Sequence, residues 1–137
     1  MTGLIGGPLP PLTDIPDPSV TGAEVIFQGR VRNREQGEVI KALYYEAYQE
    51  LADRELRAIG EESVTSFSLL DFACHQRTGE VPVGEISLRV VARAQHRETA
   101  LQAVAWAVDQ LKRRVPVWKW GVRTSGERFP AGGGQPG

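Results

Sequence analysis

The segment HRETALQAVAWAVDQLKRR (His96–Arg114) constrains the fold more than any other part of the chain. Leu101, Val104, Ala105, Val108 and Leu111 recur at helical spacing and form one apolar stripe. Glu98 falls in the first turn and Lys112, Arg113 and Arg114 in the last, the arrangement a helix dipole favours. Pro116 ends the helix. The flanking segments have a different period. EISLRVVARA (Glu85–Ala94) alternates, with Ile86, Leu88, Val90 and Ala92 on one face of a half-buried strand. VWKWGVR, beyond Pro116, reads as a short final strand.

The same periodicities divide the rest of the chain. AEVIFQGRVR (Ala23–Arg32) alternates, with Val25, Phe27, Gly29 and Val31 on one side. NREQGE is a polar turn around Gly37. VIKALYYEAY (Val39–Tyr48) is β-branched and aromatic and reads as a second strand, antiparallel to the first. Leu51, Leu56 and Ile59 set a helix over residues 49–63. VTSFSLLDFACHQR (Val64–Arg77) returns to strand character, and TGEVPVGE is a turn. The order β-β-α-β-β-α-β predicts an α+β domain with a largely antiparallel sheet and two main helices. Residues 1–20 hold five of the nine prolines and three glycines, which no helix or central strand tolerates. Residues 1–21 are therefore expected to be an extended arm, residues 22–129 the folded domain, and residues 130–137 a flexible glycine-rich tail.

With 137 residues the chain suits one domain with one core. Its net charge of −1 supplies no global field for nucleic acid or membranes, so any anion site must be local. Cys74 is the only cysteine, which excludes an internal disulfide and disfavours a Cys-based zinc site. No apolar run approaches the ~20 residues of a membrane span, and the first residues lack a secretory pattern. The expected location is the cytoplasm.

Several residues are candidates for chemistry, each with a plainer reading beside it. Arg30, Arg32 and Arg34 alternate, so in a strand they share one face and offer planar forks to phosphate oxygens. They would equally suit a solvated edge that blocks aggregation. His96 and Arg97 open the main helix, where free N–H groups favour an anion, or His96 is simply the cap. Lys112 lies one turn after Val108, beside the apolar stripe, or neutralises the helix end with its neighbours. In PVWKW, strand geometry sets Trp118 and Trp120 on one face and Lys119 with Val117 on the other. The tryptophans then anchor the strand in a core or at a subunit interface. Lys119 is held for acid–base work or points outward from an edge. Cys74–His75 is no dyad, because strand neighbours face opposite ways, and Cys74 is expected in the core. Asp71, Glu80 and Glu85 form no recognisable carboxylate pair, and no Gly-rich phosphate loop is present. Aromatic residues fall mostly at core-like positions, which argues against RNA binding through the arginines.

Four motifs in order, GAEVIFQGRVRN, ARAQHRETA, AVDQLKRRVPVWKW and SGERF, resemble the large, catalytic subunit of molybdopterin synthase over about Gly22 to Phe129. The resemblance implies an α/β-hammerhead-type fold and a homodimer. Two copies of a small ubiquitin-like sulfur carrier would dock on it to give a heterotetramer. That partner's C-terminal Gly-Gly thiocarboxylate would enter a pocket and deliver sulfur to cyclic pyranopterin monophosphate, building the dithiolene of molybdopterin. No metal or other cofactor is implied at this step. The family's substrate-binding positions map onto Arg30, Val31, Arg32, His96, Arg97, Lys112, Lys119, Trp120 and Gly121, some acting across subunits. Lys112 and Lys119 would be the catalytic pair, moving protons and meeting developing negative charge. The chain departs from the family at Trp120 and Gly121, where a basic residue and an acid are usual, and at Gln76, where a histidine is frequent. A paralogue that binds a phosphorylated ligand or a protein tail without turnover is the alternative expectation.

Overall fold

Two four-stranded sheets and two helices make an α+β architecture, described over residues 2–132 by a computed structural model. The first sheet holds β1 (Gly3–Ile5), β6 (Asp71–Arg77), β8 (Ile86–Ala94) and β2 (Ala23–Arg30), in that order. Its members pair antiparallel except β1, which runs parallel to β6 at the edge. The second sheet holds β10 (Arg128–Ala131), β9 (Val117–Val122), β5 (Ala42–Ala47) and β7 (Gly79–Pro82), all antiparallel. A small hairpin, β3 (Arg34–Glu35) with β4 (Glu38–Val39), stands apart from both. The helices are α1 (Gln49–Phe67) and α2 (Arg97–Arg114).

Both helices contribute to one core with the first sheet. Ala52, Leu56 and Ile59 of α1 meet Cys74 of β6, Val90 and Ala92 of β8, and Ala100, Ala103, Val104, Ala107 and Leu111 of α2. Burying Leu56 and Ile59 completely is worth about 1.5–3 kcal/mol each. The stripe of α2 is rotated from the one expected. Alanines 100, 103 and 107 face the core, Ala105 is exposed, and Leu101 is left 55% exposed. Small side chains let the helix lie close to the sheet, and a leucine there would hold it off. A second, smaller core collects Val31, Ile40, Leu43, Val81, Phe129 and Ala131.

The structure corrects four local expectations. Helix α1 continues through Val64–Phe67, which read as the start of a strand. Phe67 packs on the core, and the helix stops only where Ser68 turns left-handed at φ 52°. Tertiary burial outweighs the β preference of Val64 and Thr65. The strand over Val39–Tyr48 is two pieces, and β5 does not pair with β2; β2 pairs with β8, and β5 sits between β9 and β7. The presumed turn TGEVPVGE contains β7. Finally, β8 is not half-buried. Its second face, with Ser87, Arg89, Val91 and Arg93, is covered too.

The N-terminal arm does that covering. Arg89 Nη1 donates to the Pro10 carbonyl at 2.6 Å, and Arg93 Nη2 donates to the Thr13 carbonyl at 2.6 Å. Prolines suit this role, since their carbonyls accept bonds while the segment makes no ladder of its own. The paired strands thus extend beyond 22–129 at both ends, to Gly3 and to Ala131. Residues 133–137 of the expected flexible tail lie outside the described residues.

Candidate active site

A cleft of about 150 Å³ opens where β2, β8, β9 and the end of α2 converge. Arg30, Lys112 and Lys119 line it, with Tyr45, Gln76 and Ser87 between them. Phe27, Leu88 and Val108 make its apolar wall. The chain builds it economically. Pro116 stops α2, Val115 turns extended at φ −87° and ψ 118°, and β9 begins at Val117. That reversal returns Lys119 to the space beside Lys112, seven residues after it. Val108 and Lys112, one turn apart, line the cleft together.

Lys119 lies opposite Tyr45 of β5 and Ala131 of β10 in the ladder. Its side chain is 34% exposed, and its Nζ sits 3.3 Å from Glu35 Oε1. A Cβ on Gly132 would fall 2.5 Å from Lys119 Cε, so the glycine leaves the lysine its room. Tyr45 has its hydroxyl pKa raised, first by burial and also by the charge of Glu35, while a hydrogen bond with Ser87 works the other way. Gln76 Nε2 donates to the carbonyls of Arg77 and Ser87 at 2.9 and 3.2 Å, which fixes the amide at the cleft floor.

The other sequence candidates fall in different places. Arg30 ends β2 at a register shift after Gly29 and donates from Nη1 to the Gly84 carbonyl at 2.8 Å. Val31 is buried in the smaller core, which fixes the backbone between Arg30 and Arg32. Arg32 is exposed beyond the strand, and Arg34 belongs to β3, donating to the Gly37 carbonyl at 3.3 Å. The three arginines therefore do not form the single stripe expected, because β2 ends at Arg30 and residues 31–33 leave the ladder before Arg34 enters β3. His96 and Arg97 are exposed at the opposite end of α2. His96 takes the N-cap position without a capping side-chain bond. Fifteen residues of helix set Arg97 about 22 Å from Lys112, so within one chain they do not share the cleft.

Trp118 and Trp120 take the face opposite Lys119, half-buried, and neither enters an apolar core. Trp120 Nε1 donates to Glu46 Oε1 at 2.6 Å. Gly121 is buried under the Phe129 ring: a Cβ there would meet Phe129 Cζ at 2.3 Å. Cys74 is fully buried, and burial pushes its thiol up to about 12. His75 points the other way, into a cavity of about 160 Å³ under the arm, as strand alternation requires.

Glu35, Tyr45 and Ser87 were missed in the sequence. A signal existed for Glu35: the two-residue turn at Gln36–Gly37 puts Glu35 and Glu38 on one face of a hairpin. Only the tertiary fold shows that this face meets β9.

The family model described as MoaE protein matches residues 12–114. A molybdopterin synthase catalytic subunit from Pyrococcus abyssi is 45% identical over 109 residues, spanning 80% of this chain and 74% of that one. One from Thermoplasma volcanium is 37% identical over 105 residues, 77% of each chain. Among solved structures, molybdopterin synthase from Staphylococcus aureus superposes with a TM-score of 0.81 at 24% identity, covering 95% of this chain and 96% of that one. A complex of subunits 1 and 2 of molybdopterin-converting factor from Helicobacter pylori gives 0.76 at 20% identity, covering 95% and 89%. At those identities the structures speak for the fold alone.

Proposed function

We infer from two facts together, that the chain belongs to the MoaE protein family and that one cleft gathers Arg30, Lys112 and Lys119, that it is the catalytic subunit of a molybdopterin synthase. Its reaction takes sulfur from the C-terminal thiocarboxylate of a small ubiquitin-like partner and places it on cyclic pyranopterin monophosphate. Two such transfers complete the dithiolene of molybdopterin. The working assembly is a homodimer of this chain carrying two partner subunits, in the cytoplasm. Among the described residues no helix is long and apolar enough to cross a membrane.

The observation that carries the chemistry is the meeting of two lysines and an arginine over an apolar wall. Arg30, with Arg32 just beyond it, binds the cyclic phosphate through charge-assisted bonds. Lys112 and Lys119 supply protons and stabilise the negative charge that develops as sulfur adds. His96 and Arg97 stand too far along α2 to help in their own chain, so they act on the cleft of the second copy. Trp120 braces β9 from behind, its indole tied to Glu46, and Gly121, on the lysine's own face, seats Phe129. These two departures from the family pattern therefore leave the lysines facing the cleft, which favours catalysis over a binding-only paralogue.

Reconstitution tests the reading. Wild type, thiocarboxylated partner and pterin substrate should yield dithiolene product, and Lys119→Ala should lower the rate about 10²–10⁴-fold. A wild type without product, or a Lys119→Ala variant with unchanged rate, would refute it.

A further inference from the structure

The hairpin β3–β4 has a constrained geometry. Gln36 and Gly37 both take positive φ, 53° and 80°, so the turn has two residues and Glu35 lies directly opposite Glu38. Opposite residues in an antiparallel pair project from the same face. Glu38 reaches Arg123 through two bonds of 2.9 and 3.1 Å. Arg123 is held further by Glu127 at 2.8 Å and lies 4.4 Å over the Phe129 ring. The hairpin is thus pinned against the end of β9, and the pinning aims Glu35 at Lys119. Glu35 has a side chain only 11% exposed and sits 3.3 Å from the ammonium. Gly121, on the same face of β9 as Lys119, carries no side chain and lies under Phe129, so it cannot serve this role. Among the described residues, Glu35 is the one carboxylate within 4.0 Å of Lys119.

We propose that Glu35 is the positioning residue for Lys119, holding its ammonium in the cleft beside Tyr45 by a charge pair delivered from the pinned hairpin. A lysine side chain is long and flexible, and an unpartnered ammonium in a cleft shared with Arg30 and Lys112 is driven outward by repulsion or drawn onto the substrate phosphate. Glu35 removes both options. It opposes the repulsion and fixes the distance from Nζ to the reacting centre, where small displacements are costly. Phosphate binding remains with Arg30. Glu35 touches no substrate; it acts through Lys119.

This inference rests on the synthase reading, and the reconstituted assembly of full-length chain, thiocarboxylated partner and pterin substrate separates the two. Glu35→Gln keeps the shape and deletes the charge. Its kcat should fall about tenfold, while KM stays level or drops because the cleft gains net positive charge. Glu35→Asp restores the charge on a shorter arm and should recover part of the loss. In a Lys119→Ala background, Glu35→Gln should change nothing further, since both substitutions remove the same interaction. Thermal midpoints for each variant separate these effects from unfolding. A Glu35→Gln enzyme with wild-type kcat, a Glu35→Asp enzyme no better than Glu35→Gln, or additive losses in the double variant would each overturn the assignment. Absence of product from wild type fails the synthase reading, and this inference with it.

Discussion

The arm-covered face of β8 and the cleft beside the end of α2 treat positive charge in opposite ways. On the arm side, Arg93 is only 2% exposed, yet every direction of its guanidinium is met. Glu24 accepts at 2.6 Å, Asp71 at 2.7 Å and the Thr13 carbonyl at 2.6 Å. Burial works against that charge, and the bonds to Glu24 and Asp71 more than offset it, so the pKa is raised. On the cleft side, Lys119 has one carboxylate and Arg30 one backbone carbonyl, and both retain donors for something else. A cation whose donors are all used holds the fold; a cation with donors to spare at a concave surface is available to a ligand.

Four measurements can break or sharpen this contrast. Lys112→Ala should cost the largest amount, about 10²–10³-fold in product formation, with little change in thermal midpoint because the side chain is exposed. Equal losses of stability and rate would erase the distinction. Arg93→Ala should do the reverse. Removing a buried partner from Glu24 and Asp71 should cost about 3 kcal/mol in denaturant unfolding, while kcat of the protein that remains folded stays near wild type. Next, Arg30→Ala should raise the KM for the phosphorylated substrate about tenfold, roughly 1.4 kcal/mol, with kcat less affected. The smallest effect concerns His75. Its pKa is lowered, by burial first and by Arg89 among the other causes. The folded state therefore resists protonation more than the unfolded one. Stability should be complete above the ordinary histidine value of about 6.5 and should fall as pH drops below it. His75→Gln should flatten that part of the stability profile in a pH series of chemical denaturation.

The main helix was legible almost to the residue, because its charged ends and Pro116 mark boundaries that burial does not move. Its buried face was not, since alanine and leucine weigh differently in a hydropathy pattern and in a close contact with a sheet. Lys112 and Lys119 were paired through the family resemblance, and the structure brings both to one cleft because only a helix stop and the start of a short strand separate them. Their surroundings were not legible. Tyr45 and Glu35 come from segments more than 65 residues away, and the pairing of β5 with β9 closes a long stretch of chain. The half-buried reading of EISLRVVARA leaves its other side to solvent, and Arg89 and Arg93 stand on that side. The arm that covers them has no periodicity with which to announce itself. His96 and Arg97 were grouped with the lysines through the family resemblance, and α2 holds them at its far end, about 22 Å from Lys112 within one chain.

The parallel strand β1 has one more consequence. Without Gly3–Ile5, β6 would end its sheet, presenting a row of unpaired backbone groups to any other chain. Residues 2–5 close that row: the Thr2 hydroxyl accepts from the Cys74 amide at 3.1 Å, and the Ile5 carbonyl accepts from the Thr78 amide at 2.9 Å. Leu4 in turn is tied to Asp53 of α1 at 3.0 Å. Residues 2–5 thus replace the seven-residue edge of β6 with a three-residue one, which disfavours indiscriminate strand-to-strand association. Trimming them should be felt first as a loss of solubility, before any loss of turnover.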